Sequence, residues 1–385
     1  MEIINTQYSK FDIPLAPIQK LRRCTKCVLP ETMPFIEFDH AGVCNYCRSY
    51  KKREYAGEEA VRQMAETLRK PAGQYDSLVS FSGGRDSCYG LHYFVKELGL
   101  TPLAYCYDWG MGTDIAARNQ KRLCNKLNIK LVTVRADIEK KRTNIRKNVT
   151  AWLKRPALGI IPLFMAGDKH YFYHAYRICK ENKLNTILMA SNPFEETHFK
   201  SGFCGVKPAI LRTGEHSDII EKLPMNSVLQ MSGFYLREFL CNPSYINTSI
   251  WDTFTAAFTY YIIPHKDFRL FNYIPWNEET VDNTLAAEYD WERSPDAAST
   301  WRIGDGTAPF YNYVYYRVAG FTENDTLRSN QIREGMITRE QALEYVYRDN
   351  APRYASMKWY FDTIGMDMES VLRRVNEIKP LYPIE

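Results

Sequence analysis

Ser77-Leu78-Val79-Ser80-Phe81-Ser82-Gly83-Gly84-Arg85-Asp86-Ser87 decides the fold. It begins as a short apolar run, turns through two glycines and opens a helical pattern. Leu91, Phe94, Val95 and Leu98 recur at i, i+3, i+4 and i+7, and Gly99 takes the C-cap position. The stretch reads as strand, tight loop, helix. Ser82, Gly83 and Gly84 then lie at a helix N-terminus, where unpaired N–H groups and the positive dipole end favour an anion. Paired glycines let backbone donors close around a phosphate, and the Ser82 and Ser87 hydroxyls add further donors. Asp86 would repel that anion and is read as a ligand to the magnesium that accompanies a nucleotide. An ordinary Ser/Gly turn before a helix is the plainer alternative.

Working outward, Thr101 to Gly110 reads as a second strand ending in Asp108, followed by a helix over Asp114 to Leu127 and a third strand over Ile129 to Val134. A basic segment (Arg135, Lys140, Lys141, Arg142, Arg146, Lys147, Lys154, Arg155) runs on to Pro156 and reads as the solvated face of a helix. A helix over about Lys169 to Asn182 precedes a fourth strand, Thr186 to Ala190, which ends in Ser191-Asn192-Pro193-Phe194-Glu195-Glu196. Alternating strands and helices imply right-handed βαβ units, hence an α/β fold with a doubly wound, mostly parallel sheet. Ligands of such sheets sit outside the carboxyl ends of the strands. That places Asp108 to meet the ribose, adenine or metal, a turn-forming Asp near a glycine being the alternative, and Glu195 or Glu196 where either completes a magnesium site with Asp86. Loop carboxylates without a ligand are the alternative.

Upstream, Cys24-x2-Cys27 and Cys44-x2-Cys47 are separated by sixteen residues. The spacing suits two knuckles around a tetrahedral zinc, and four thiolates leave no open position, so the metal is read as structural. A site of this kind contributes on the order of 10 kcal/mol to a small module. A redox pair and an iron–sulfur cluster are the rival readings. A charged linker helix over residues 50 to 70, ended by Pro71-Ala72-Gly73, leads back to the first strand.

The 385 residues allow two or three units. We expect a zinc module over 1–55, an ATP-binding α/β domain over 56–200 and a mainly helical substrate- and partner-binding region over 201–385. Aromatic residues make up 14%, with 27 tyrosines, which a large aromatic core or a sugar-binding wall would explain. The formal charge of +5 suits anionic substrates and is too small to argue for nucleic acid. No secretory signal is visible, and the apolar stretch Ile250 to Ile263 falls below the ~18 residues of a membrane span. A cytoplasmic protein is expected, without membrane or nucleic-acid partners, its ten cysteines being thiols or metal ligands. Past residue 200 the periodicities weaken. Ser201 to Gly205 reads as a flexible loop able to act as a lid, Tyr273 to Trp276 as extended, and Glu278 to Tyr289 as a helix. Thr338, followed by Glu340 and Gln341, reads as a helix N-cap. Arg328, Arg333 and Arg339 suit a bidentate clamp on a diphosphate or carboxylate, with surface salt bridges the alternative.

The loop is not a Walker A motif, having no lysine. It resembles the PP-loop of the ATP pyrophosphatases (adenine nucleotide alpha hydrolase-like), whose signature is S-G-G-x-D-S. Taken with Arg23 to Pro34, Phe38 to Cys47, Thr300-Trp301-Arg302, Asn312-Tyr313 and Ile332 to Leu343, the chain looks like the N-acetyl sugar amidotransferase family over most of its length. Its Ala190-Ser191-Asn192-Pro193 departs from the family's Gly-Glu-Asn-Pro. The resemblance implies conversion of an acetamido group on a bacterial surface sugar to an acetamidino group. It implies ATP, Mg2+ and structural zinc, and ammonia from a separate glutaminase; no cysteine stands near residue 2 to act as a glutaminase nucleophile. In this reading Asp86 and Arg302 are catalytic. Ser80, Ser82, Gly83, Gly84, Asp86, Ser87 and Asp108 bind ATP. Arg302, Arg333 and Arg339 bind the sugar, and Asp86 and Glu195 hold magnesium. The rivals are a tRNA sulfur transferase, for which Cys204 is the thiol to watch, and a non-catalytic scaffold.

Overall fold

Alternate residues of a strand face opposite sides of its sheet, and in β1 (Leu78–Ser80) both sides are apolar and buried. Leu78 belongs to a cluster with Leu103, Tyr105, Ile178 and Ile187, and Val79 to one with Phe81, Leu91, Ala104, Leu123 and Leu188. Such a strand must be central, with helices over both faces. The computed structural model, which describes residues 2–383 apart from 166, 196, 215–223 and 262–266, has that arrangement. β1 lies between β2 (Leu103–Asp108) and β4 (Ile187–Met189), with β3 (Leu131–Arg135) and β5 (Asp267–Arg269) outside them. The order is β3-β2-β1-β4-β5 and every pairing is parallel. The Arg85–His92, Asp114–Leu127 and Glu278–Tyr289 helices contribute to the core on the Val79 face, and Tyr171–Glu181 to the core on the other.

Four of these strands fall where the sequence places them. β5 does not: three residues in a stretch without periodicity carry no pattern to read. It extends the sheet into the region expected to be mainly helical. The chain runs from β1 through β2 to β3, then returns across β1 to β4. The strand order therefore reverses between β1 and β4, and the loops after both, Phe81 to Gly84 and Ala190 to Glu195, meet at that switch point.

A second core joins the N-terminal segment to the C-terminal helices Ala308–Ala319, Tyr354–Ile364 and Met368–Asn376. Tyr311, Tyr313, Tyr315, Tyr316, Tyr354 and Tyr360 are buried in it, so much of the C-terminal tyrosine is core. Between the cores runs Glu323–Glu334, a helix of sequence ENDTLRSNQIRE in which ten of twelve residues are buried. Thr322 and Asp325 close a capping box at its start. The expected cap at Thr338 is also a capping box, with Gln341, and opens the Arg339–Asp349 helix.

Apart from Arg135, which ends β3, the basic run lies in the Ile138–Lys154 helix and the turn after it, and it is not simply solvated. Buried Lys141 pairs with Asp252, Lys147 donates to Thr248, and Lys154 donates to Ser244. Ser201 to Gly205 is no free lid either. The His198–Gly202 helix packs Phe199 edge-on against Tyr315, Phe203 stacks on Tyr315, and Cys204 is buried. Among the described residues no helix is long and apolar enough to cross a membrane.

A side chain on Gly90, in the Arg85–His92 helix, would place its Cβ 2.2 Å from that of Ala190. The helix approaches the end of β4 closely enough to need glycine. Gly90→Ala is expected to destabilise the protein by about 1–3 kcal/mol, seen as a lower urea midpoint; an unchanged midpoint would show that this approach is not constrained.

Candidate active site and metal centre

The knuckles bring Cys24, Cys27, Cys44 and Cys47 together, buried, with all four sulfurs within 4.8 Å of one another. Sγ of Cys24 lies 4.0 Å from Cys47, and that of Cys27 3.8 Å from Cys44. A tetrahedral zinc with bonds of about 2.3 Å sets its sulfurs about 3.8 Å apart, whereas a disulfide needs about 2.05 Å. The donor set therefore fits a metal such as zinc. The amides of Lys26, Cys27 and Cys44 donate to the Cys24 sulfur at 3.2 to 3.4 Å, as thiolates require.

Arg333 and Arg339, expected on the sugar, are here instead. Arg333 donates through Nε to Cys47 Sγ at 3.3 Å and through Nη2 to Cys27 Sγ at 3.5 Å. Burial opposes its charge, but the surrounding thiols raise its pKa overall. Arg339 Nε donates to the carbonyls of Cys24 and Cys27 at 3.0 and 3.1 Å. Arg328 bonds Glu278, Gln331 and Asp349. The three arginines form no clamp. Each is engaged by an internal group, Arg333 and Arg339 by the docked four-cysteine module and Arg328 by Glu278, Gln331 and Asp349.

At the switch point Gly84 N-caps the Arg85–His92 helix, and Ser82 Oγ lies 2.9 Å from Ser87 Oγ and 3.3 Å from the Gly84 amide. Gly83 has φ +81°, and a Cβ there would sit 2.3 Å from the Ala116 carbonyl, so only glycine fits. The loop is thus a ring of amide and hydroxyl donors at a helix N-terminus. Asp86 Oδ1 accepts from Trp276 Nε1 at 2.8 Å and Arg85 Nε at 3.2 Å. The Glu195 carboxyl, from the loop after β4, lies against it. Burial pushes the Glu195 carboxyl up to about 8, and Asp86 adds to that against the pull of Arg302 and Arg85. Two carboxyls in contact need a proton or a cation between them. Glu196 lies outside the described residues.

Arg302 joins this group. Its Nη2 is 3.8 Å from Glu195 Oε2 and its Nε 3.5 Å from Glu323 Oε2, and its φ of +54° is the left-handed region. Fully buried Glu323 also takes Lys200 at 2.5 Å and the Tyr311 hydroxyl at 2.9 Å. Burial works to raise its carboxyl, yet Arg302 and Lys200 hold it at about 2. Asp108 ends β2 on the same sheet edge, but its carboxylate is engaged by the Gly110 amide and Arg135. Ser80 ends β1.

Arg85, Lys200, Trp276, Glu278, Tyr311 and Glu323 were not singled out as site residues from the sequence. Only Glu323 had a local signal, the Thr322-x-x-Asp325 cap before it. No family model matches the chain, and no curated protein does. Fold and centre define an α/β protein with an all-parallel five-stranded sheet and a four-cysteine cluster able to hold a metal such as zinc.

The protein as purified is expected to carry one tightly held zinc per chain. Arg333→Met should release it to a chelator with an affinity lowered about 10–100-fold; retention equal to wild type would remove Arg333 from the account of the centre.

Proposed function

We propose that the protein is a PP-loop, ATP-dependent amidotransferase that converts an acetamido group of a bacterial surface-polysaccharide sugar to an acetamidino group. The sugar is a nucleotide-linked diacetamido uronic acid or a nonulosonic acid, and the reaction is cytoplasmic, with ammonia from a glutaminase partner. The observation that carries this reading is the complete Ser82-Gly83-Gly84-Arg85-Asp86-Ser87 loop at the sheet's switch point, with Glu195 brought against Asp86.

The chemistry follows from the leaving group. An amide oxygen cannot depart toward ammonia unless it is first activated. The acetamido oxygen attacks the α-phosphorus of ATP and pyrophosphate leaves. Ammonia then adds to the imidate carbon, and AMP departs with the former amide oxygen. Ser82, Gly83, Gly84 and Ser87 supply donors to the departing pyrophosphate, and Asp86 and Glu195 are the residues that would hold magnesium. When bound, that ion neutralises phosphate charge. Arg302, tied to Glu323 and Glu195, holds positive charge beside the loop. Positioning and charge neutralisation of this sort supply most of the catalysis in such transfers. The sulfur-transferase alternative has less to rest on, because Cys204 is buried and burial pushes its thiol up to about 12.

The test combines protein, ATP, magnesium and ammonium with a panel of diacetamido uronic acid nucleotides and nonulosonic acids. AMP, pyrophosphate and a sugar in which NH has replaced O are expected together. Asp86→Asn and Glu195→Gln should each lower AMP formation by about 100-fold or more. Absence of sugar-dependent AMP would contradict the reading, and AMP formed on adding tRNA would replace it with the sulfur transferase.

A further inference from the structure

Met225–Cys241 is a helix with two apolar faces. Phe234, Tyr235 and Phe239 pack against the second core, and buried Glu238 holds Arg155 at 2.6 Å. On the outer side Met225, Leu229, Leu236 and Leu240 stand at i, i+4, i+11 and i+15, which makes one stripe at 3.6 residues per turn. Their exposures are 70, 62, 61 and 68%, so among the described residues nothing covers the stripe. A helix apolar on both sides belongs inside a protein or an assembly. The stripe itself carries no charge, and the flanking Arg237 leans on Glu238 at 4.0 Å. Gly233 sits in mid-helix, where glycine is a poor helix former, and a Cβ there would meet nothing within 4 Å. The described packing of the chain does not ask for glycine at that point, whereas close approach of a second backbone would. The stripe also reads alike from both ends. Met225 and Leu240, and inside them Leu229 and Leu236, are equidistant from the Ser232–Gly233 peptide bond.

We propose that this face joins two copies of the chain about a two-fold axis, the helices crossing antiparallel at Ser232 and Gly233. An isologous contact requires that residue i meet j and j meet i, and the spacing of the stripe meets that condition. Leu229 packs on Leu236 of the second copy and Met225 on Leu240, each contact being made twice, while the small residues at the axis let the backbones approach. The two Arg237 side chains lie roughly 13 Å apart along the helices and do not oppose each other. Each of the four stripe residues presents on the order of 100 Å² of apolar surface, so two copies hold about 800 Å². Val228, 37% exposed, and the small residues at the axis carry the contact past the ~1,000 Å² of a specific interface. A helix lying on a lipid surface needs a polar face rich in lysine and arginine. Here the opposite face is packed aromatic, and Arg237 is the helix's one cation. The inference is independent of the amidotransferase reading.

Sedimentation velocity of the full chain over a range of concentrations tests it, and a dimer is expected. Leu229→Lys and Leu236→Glu should each weaken that dimer about 100-fold, because each sets a desolvated charge against a leucine. Combined in one chain they should restore it, since the two-fold brings the new cation of each copy onto the new anion of the other. Both positions are exposed in the single chain, so both variants should fold. Ser232→Cys gives a separate readout. Under mild oxidation it should link the copies at the axis, whereas exposed Cys241, about 25 Å from its mate along the helices, should not. A monomer at every concentration, a dimer indifferent to both single charges, no rescue by the double variant, or a dimer linked through Cys241 would overturn the proposal. A monomer that binds phosphatidylglycerol vesicles, and loses them with Leu236→Glu, would replace it with a membrane face.

Discussion

Burying the Glu323–Glu334 helix removes nearly every one of its polar side chains from water, and the structure around it is arranged to satisfy them. Asp325 takes Arg23 at 2.7 Å from the first knuckle, and Ser329 takes the Val28 amide. Arg328 bonds Glu278, which in turn bonds Arg85 next to Asp86. Arg333 reaches the cysteine sulfurs, Asn330 donates to the Phe194 carbonyl beside Glu195, and Glu323 gathers Lys200, Arg302 and Tyr311. Unpairing one buried ion of this kind costs about 3–5 kcal/mol. The helix can therefore lie where it does only if metal module, sheet and site are all in place. It is one element that requires three others.

The same constraint places the chemistry. A glycine-rich loop at a helix N-terminus is common to many folds. What distinguishes this one is that the reversal of strand order brings the β4 loop beside it, and that the buried helix holds that loop through Asn330. Glu195 is thereby pressed against Asp86 and flanked by Arg302. Two carboxyls and a guanidinium are thus gathered beside the loop.

Much of this was legible in the sequence because it is local. Short apolar runs and period-3.6 patterns mark β1 to β4 and their helices, the C-x2-C pairs mark the four-cysteine cluster, and S-G-G-R-D-S marks the loop. Glu195 was reachable from topology alone, since β4 must end on the loop's edge. β5 escaped because Asp267–Arg269 is too short to show a period. Arg333 and Arg339 were misplaced because an arginine looks alike whether it grips a substrate or a thiolate, and only the docking of residue 333 on residues 27 and 47 decides. The Glu323–Glu334 helix was unreadable for the opposite reason. Its composition says solvent, and burial comes from partners far away in the chain.

The central claim is that the loop activates an amide oxygen by adenylation. Supplying an acetamido sugar labelled with oxygen-18 in its carbonyl, with ATP, magnesium and ammonium, and measuring the mass of the nucleotide product tests it most directly. The account predicts that the label appears in AMP. Label in phosphate or pyrophosphate, or amidine formed with unlabelled AMP, would contradict it.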